Sequence, residues 1–237
     1  MPIFRADAAF DEARKDGGTL SGLPVRGIAD EAAGLFALAS GPASSSSDAL
    51  ERLQRASADA FGLEARHLAE LVRAELLRLP PSVEATALFV NAAGVAVLGQ
   101  RGQHPAFALH DGRLLRLTSD ASVADDPHTL VTAAPGSFSW SRSDDLSLAA
   151  ASRAAITAEQ MGFLRAQRAD TVDVRRAEAA PDTTYLLLSQ TVGRALGFDV
   201  LWTLLSADTG PWALLQAARS AHPGQQRGMG AVIVRVD

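Results

Sequence analysis

The chain of 237 residues contains no cysteine. Disulfide bridges, thiolate metal sites and cysteine nucleophiles are therefore excluded together. The sequence also has no Gly-x-Ser-x-Gly elbow and no lysine-containing phosphate loop. The histidines show neither a His-x-x-x-His spacing nor a facial-triad pattern, so each is expected to be a surface or capping residue and not a ligand. They are His67, His104, His110, His128 and His222.

Lysine is almost absent, whereas arginine is abundant. Lys15 is the only lysine, and the formal net charge is −5 at pH 7. Binding to nucleic acid depends largely on Lys and Arg that neutralise phosphates, and the chain has no basic stretch. No apolar run approaches the roughly 20 residues that cross a bilayer, and the first residues lack the apolar core of a signal peptide. We therefore expect a cytoplasmic protein that binds neither nucleic acid nor membrane.

The composition is that of a folded protein, with 47% hydrophobic and 21% charged residues. A chain of this length can bury one sizeable core. Residues 119–155 are rich in Ser, Asp, Ala and Pro, which favours a loop. We expect a single domain over residues 1–237, with a long loop or insertion at about 125–155.

Apolar periodicity predicts strands, then two helices, more strands, one late helix and a final strand. The predicted strands are Phe4 to Phe10, Gly34 to Ala39, Thr86 to Val90, Val95 to Leu98, Ala106 to Leu109, Arg113 to Leu117, Thr184 to Leu188 and Ala231 to Val236. Asp111-Gly112 is a turn pair typical of a hairpin.

The helices are predicted from their starts, stops and apolar stripes. The run from Ser44 to Ser47 is expected to be a loop, with Asp48 capping the first helix. The second helix carries leucines at helical spacing and ends at Pro80. The late helix is expected from Pro211 to Ala221, and the pattern from Ile156 to Gln167 is compatible with a further helix.

The most specific segment runs from Gly102 to Thr118 and reads GQHPAFALHDGRLLRLT. It resembles the pattern G-D-S-R-A-Y-x-x-x-D-G-x-L-x-x-L-T of the metal-dependent type 2C (PPM) Ser/Thr protein phosphatases. Weaker matches follow the family's order. They pair Leu35 to Gly41 with L-F-x-V-A-D-G, Ala85 to Ala87 with G-T-T, Ile156 to Gln160 with I-T-x-E-E, Pro181 to Gln190 with P-G-D-x-L-L-L-C-S-D-G, and Arg227 to Val234 with R-D-N-I-T-V-V-V. The resemblance spans nearly the whole chain. It implies an α+β fold, a β-sandwich of two antiparallel sheets flanked by helices.

The resemblance also implies a chemistry that this chain does not match. Family members hydrolyse phosphoserine and phosphothreonine with two Mg²⁺ or Mn²⁺ ions held by aspartates. The matched positions here are Ser40, Gln103, Gln190 and Gly228. Such cations favour carboxylate and water oxygens, and neutral groups do not offset the dehydration of two divalent ions. The sequence therefore predicts no metal, no other cofactor and no catalytic residue, which defines a pseudophosphatase.

The family's early acidic motif has no clear counterpart, although Ala29-Asp30-Glu31 lies near it in sequence. Three functions stay open. The leading hypothesis is an inactive module that binds a Ser/Thr kinase, a phosphatase or a phosphoprotein, with the neutral cleft and residues 125–155 as its binding surface. An active phosphatase with atypical ligands is the second, and a scaffold subunit of a larger assembly is the third. The second hypothesis needs other carboxylates, such as Asp48, Asp111, Asp120 or Asp199.

Overall fold

The computed structural model describes residues 3–11, 15–16, 19–20, 23–118, 141–142, 172–223 and 228–237. These residues form two stacked antiparallel sheets with helices on both outer faces, so the predicted fold class is confirmed. The strands are β1 (Phe4–Asp11), β2 (Lys15–Asp16), β3 (Thr19–Leu20), β4 (Val25–Asp30), β5 (Leu35–Ser40), β6 (Glu84–Val90), β7 (Val95–Arg101), β8 (Ala106–His110), β9 (Arg113–Arg116), β10 (Ser141–Arg142), β11 (Val172–Glu178), β12 (Thr183–Leu188) and β13 (Met229–Val236). The helices are α1 (Ala43–Ala60), α2 (Ala65–Leu77), α3 (Gln190–Ala195), α4 (Phe198–Ser206) and α5 (Pro211–Ala221).

One sheet has the strand order β1-β13-β12-β8-β9, and the other has the order β10-β11-β7-β6-β5-β4. Strands β2 and β3 pair separately as a short ribbon. The chain passes between the two sheets several times. Strand ends that are far apart in the sequence therefore lie close together at one end of the sandwich. Ser40, at the end of β5, pairs with Val25 on β4 and with Glu84 on β6.

Each sheet is buried on both faces. In β12, Tyr185 and Leu187 pack between the sheets, while Leu186 and Leu188 pack against the outer helices. Side chains alternate along a strand, so a strand covered on both sides has a continuous apolar run and not an alternating pattern. This explains the unbroken sequence Tyr-Leu-Leu-Leu. In β5 the same alternation turns Phe36 and Leu38 towards the interior between the sheets.

Helix α1 begins earlier than predicted. It starts at Ala43, so Ser44 to Ser47 are helical and the predicted loop and the Asp48 cap are wrong. The serine hydroxyls donate to a backbone carbonyl of the same helix: Ser46 Oγ and Ser47 Oγ lie 3.2 and 3.0 Å from the Ala43 oxygen. Ser46 is also fully buried. Tertiary packing and these local bonds outweigh the preference of serine for loops.

Seven elements were not predicted: β2, β3, β4, β10, β11, α3 and α4. Strand β4 contains Gly27, at which a Cβ would lie 2.4 Å from the Phe10 ring, so the glycine has a packing role inside the strand and does not mark a turn. Helix α3 has six residues, too few to show a helical period. The predicted helix from Ile156 to Gln167 and the loop at about 125–155 lie outside the described residues, apart from β10. No helix in the described part of the chain is long and apolar enough to cross a membrane.

Candidate functional site

The four positions matched to the family's aspartates lie at one end of the sandwich. Ser40 ends β5, Gln103 lies in the β7–β8 connection, and Gln190 begins α3 directly after β12. Gly228 precedes β13 and packs against the backbone at the start of β4, beside the strand position that pairs with Ser40. The connection that carries Gln103 turns at Gly102, whose φ of +90° is accessible to glycine at little cost.

His104 occupies the centre of this cluster and is only 2% exposed. Its Nε2 lies 2.8 Å from Ser40 Oγ, and its Nδ1 accepts the backbone N–H of Gln190 at 3.0 Å. The expectation of a surface histidine is therefore wrong for His104, whereas the expectation of a capping residue fits, because Gln190 is the first residue of α3. The imidazole joins a strand end of one sheet to a strand end of the other.

The backbone carbonyl of His104 is also held by hydrogen bonds. Its carbonyl oxygen accepts Thr86 Oγ1–H at 2.7 Å and Gln100 Nε2–H at 3.0 Å. Thr86 and Gln100 are neighbours on β6 and β7 and are both buried. Buried polar groups need such partners because an unpaired group keeps its full desolvation cost. The network fixes the position of the ring.

The hydrogen bonds decide the tautomer of His104. A backbone N–H can only donate, so Nδ1 must be the unprotonated, accepting nitrogen. In the neutral ring the proton is then on Nε2, which donates to Ser40 Oγ. A second proton would have to displace the Gln190 N–H from Nδ1. Burial lowers the pKa of His104 to about 4, so the ring is neutral at pH 7.

This tautomer excludes a Ser–His catalytic pair. A histidine that activates serine must accept the hydroxyl proton at Nε2 while a carboxylate holds Nδ1–H. Here Nε2 already carries the proton and Nδ1 faces a donor. The contact between Ser40 and His104 is therefore structural, despite its catalytic spacing.

The two glutamines form an amide pair next to His104. Gln190 Nε2 donates to Gln103 Oε1, and Arg194 Nη2 donates to the same oxygen at 2.8 Å. The backbone N–H of Gln103 is 3.3 Å from Glu84 Oε2. Gln103 Oε1 thus accepts two N–H donors already. Sequence reasoning missed both Arg194 and Glu84, because neither stands at a position where the family motifs carry a ligand.

Gly228 contributes only backbone, as expected from its residue type. A Cβ at this position would lie 2.9 Å from the Leu23 carbonyl oxygen and 2.9 Å from the Val25 nitrogen. Two residues later, Gly230 N–H donates to Ser189 Oγ at 3.1 Å, and the Ser189 N–H donates back to the Gly230 oxygen at 2.8 Å. The space that a side chain at position 228 would enter is filled by the main chain next to β4.

Asp30 and Glu31 are far from this cluster. They lie at the β4–β5 turn, where Asp30 Oδ1 accepts the Ala33 N–H at 3.0 Å and Glu31 Oε1 accepts the Ala6 N–H at 2.6 Å. Ser40 is at the opposite end of that hairpin, about 17 Å away at the usual rise per residue. Val25 is the β4 residue that pairs with Ser40. A β4 carboxylate close to Ser40 would therefore have to lie at or next to Val25, which is buried and apolar.

The residues that the structure describes at this end of the sandwich do not fit a pair of divalent cations. In the described part of the chain, no three His, Asp or Glu side chains come together as a metal-binding group. Glu84 brings one carboxylate to the cluster, while Asp48, Asp111 and Asp199 are exposed on α1, on the β8–β9 turn and on α4. Asp120 lies outside the described residues. Hard cations need several oxygen ligands with negative charge, and the described residues of this cluster supply one carboxylate, that of Glu84.

The two stacked sheets with outer helices are the architecture of the PPM-type Ser/Thr phosphatases. No protein-family model and no curated protein sequence matches the chain. Solved structures do match it in fold. PppA of Pseudomonas aeruginosa, described as a key regulatory component of the T6SS, is 14% identical, with a TM-score of 0.66 over 99% of this chain and 98% of that one. The serine/threonine phosphatase PstP of Mycobacterium tuberculosis is 17% identical, with a TM-score of 0.61 over 99% of both chains. A PstP catalytic domain with two manganese ions is 18% identical, with a TM-score of 0.61 over 100% and 99%.

Proposed function

We propose that this protein is a catalytically inactive phosphatase-like module that acts by binding another protein. The observation that carries the proposal is the neutral network at the matched positions. Ser40, His104, Gln103 and Gln190 bond to one another and to the backbone, where an active relative would need carboxylates. A two-metal phosphatase makes its nucleophile on the metals and clamps the phosphoryl group with them. A hydrogen-bonded cluster of neutral groups supplies neither.

The partner we propose is a Ser/Thr kinase, a phosphatase or a phosphoprotein in the cytoplasm. Two features support a protein partner: the fold is shared with enzymes that act on phosphoproteins, and the neighbour PppA is described as a regulatory component. The predicted binding surface at residues 125–155 lies outside the described residues and stays a prediction. A scaffold role within a larger assembly is the alternative in which the cleft itself binds nothing.

An active phosphatase with atypical ligands is favoured by one observation, the Glu84 carboxylate at the edge of the cleft. Calorimetric titration of the full chain with Mn²⁺ distinguishes the two functions. We expect no binding at millimolar Mn²⁺, because one carboxylate cannot replace four. The control is an active PPM-type phosphatase titrated in the same buffer. Stoichiometric binding of two ions per chain would contradict the proposal.

The rate of phosphopeptide hydrolysis is the second measurement that distinguishes the two functions. With a phosphothreonine peptide and Mn²⁺, we expect a rate at least about a thousandfold below that of the same control enzyme, since the metal-generated nucleophile is missing. The assay is repeated with a chelator, which removes any contaminating metal-dependent activity. A chelator-sensitive rate that persists through further purification would establish the active-phosphatase alternative.

A further inference from the structure

We draw no further inference here: the strongest candidate, the pair of exposed aromatic side chains Phe198 and Trp202 on α4 beside the β8–β9 hairpin, carries no proposal because nothing in the described part of the chain shows what covers it.

Discussion

Acidification from pH 7 to pH 4 is expected to remove about 3 kcal/mol more stability from the wild-type protein than from a His104→Gln variant. The cause is burial, which lowers the pKa of His104 from 6.5 in the unfolded chain to about 4 in the folded one. A difference of that size corresponds to about 3 kcal/mol of linked free energy. The neutral ring is required because Nδ1 accepts the Gln190 N–H.

The direction follows from proton uptake. Between pH 6.5 and 4 the unfolded chain binds a proton at His104 and the folded chain does not, so protons favour unfolding in this window. The contribution is fully present above pH 6.5, decreases as the pH falls, and changes no further below about 4. Carboxylates that titrate in the same range affect the wild type and the variant alike, which is why the difference between the two is the quantity to measure.

Urea unfolding at several pH values gives the free energy of unfolding of each protein. The quantity compared between the wild type and His104→Gln is the change of this free energy with pH, and not its value at one pH. The control is His67→Gln, on the exposed surface of α2, which should follow the wild-type curve. An independent readout is the NMR titration of His104 in the wild type, which needs no variant. Two results would contradict the prediction. One is that the unfolding free energies of the wild type and His104→Gln change in parallel with pH, and the other is that the NMR titration of His104 has its midpoint near 6.5. Either would show that the ring is not held neutral by the network.

The strands could be predicted from the sequence where they have one of two features. They are covered on both faces, which gives a continuous apolar run, or they are joined by a tight turn with a typical residue pair. The hairpin at Asp111-Gly112 is one example: both residues have positive φ, at 49° and 69°, as the predicted turn requires. Helices α3 and α4 were not predictable in the same way. They begin directly after a strand and after Gly197 respectively, and α4 exposes Phe198 and Trp202, so its apolar pattern does not show a single buried face.

The sequence predicted neutral residues at the matched positions, and it did not predict the hydrogen-bond network around them. Neutral residues at Ser40, Gln103 and Gln190 could be read from the motifs, and the structure brings these positions together. The role of His104 could not be read, because it depends on Ser40 and on the Gln190 backbone, which are 64 and 86 residues away in the chain. One signal was available: His104 stands inside the most specific motif, between Gln103 and a strand that is buried on both faces.

Replacing Gly228 by Asp is expected to destabilise the fold by about 3 kcal/mol, and Gly228→Ala by about 2 kcal/mol. A Cβ at position 228 would meet the Leu23 oxygen and the Val25 nitrogen at 2.9 Å each. Both atoms belong to the main chain at the start of β4, so they cannot move aside as a flexible side chain could. Aspartate adds a buried carboxylate without a cation to pair with it. We therefore expect that an aspartate at position 228, which the motif match pairs with the family's fourth aspartate, is not accommodated without loss of stability.

Chemical denaturation of the two variants, with and without Mn²⁺, measures both parts of this prediction. Gly62→Ala is the control, since a Cβ there has no neighbour within 4 Å and should change the free energy of unfolding by less than about 0.5 kcal/mol. We expect Mn²⁺ to leave the stability of Gly228→Asp unchanged, because one added carboxylate next to neutral side chains does not complete a site for a hard cation. Gly228→Asp that is as stable as Gly62→Ala would mean that the start of β4 can yield. Stabilisation of this variant by Mn²⁺ would mean that the remaining oxygens of the cleft still bind metal, and it would favour the active-phosphatase alternative.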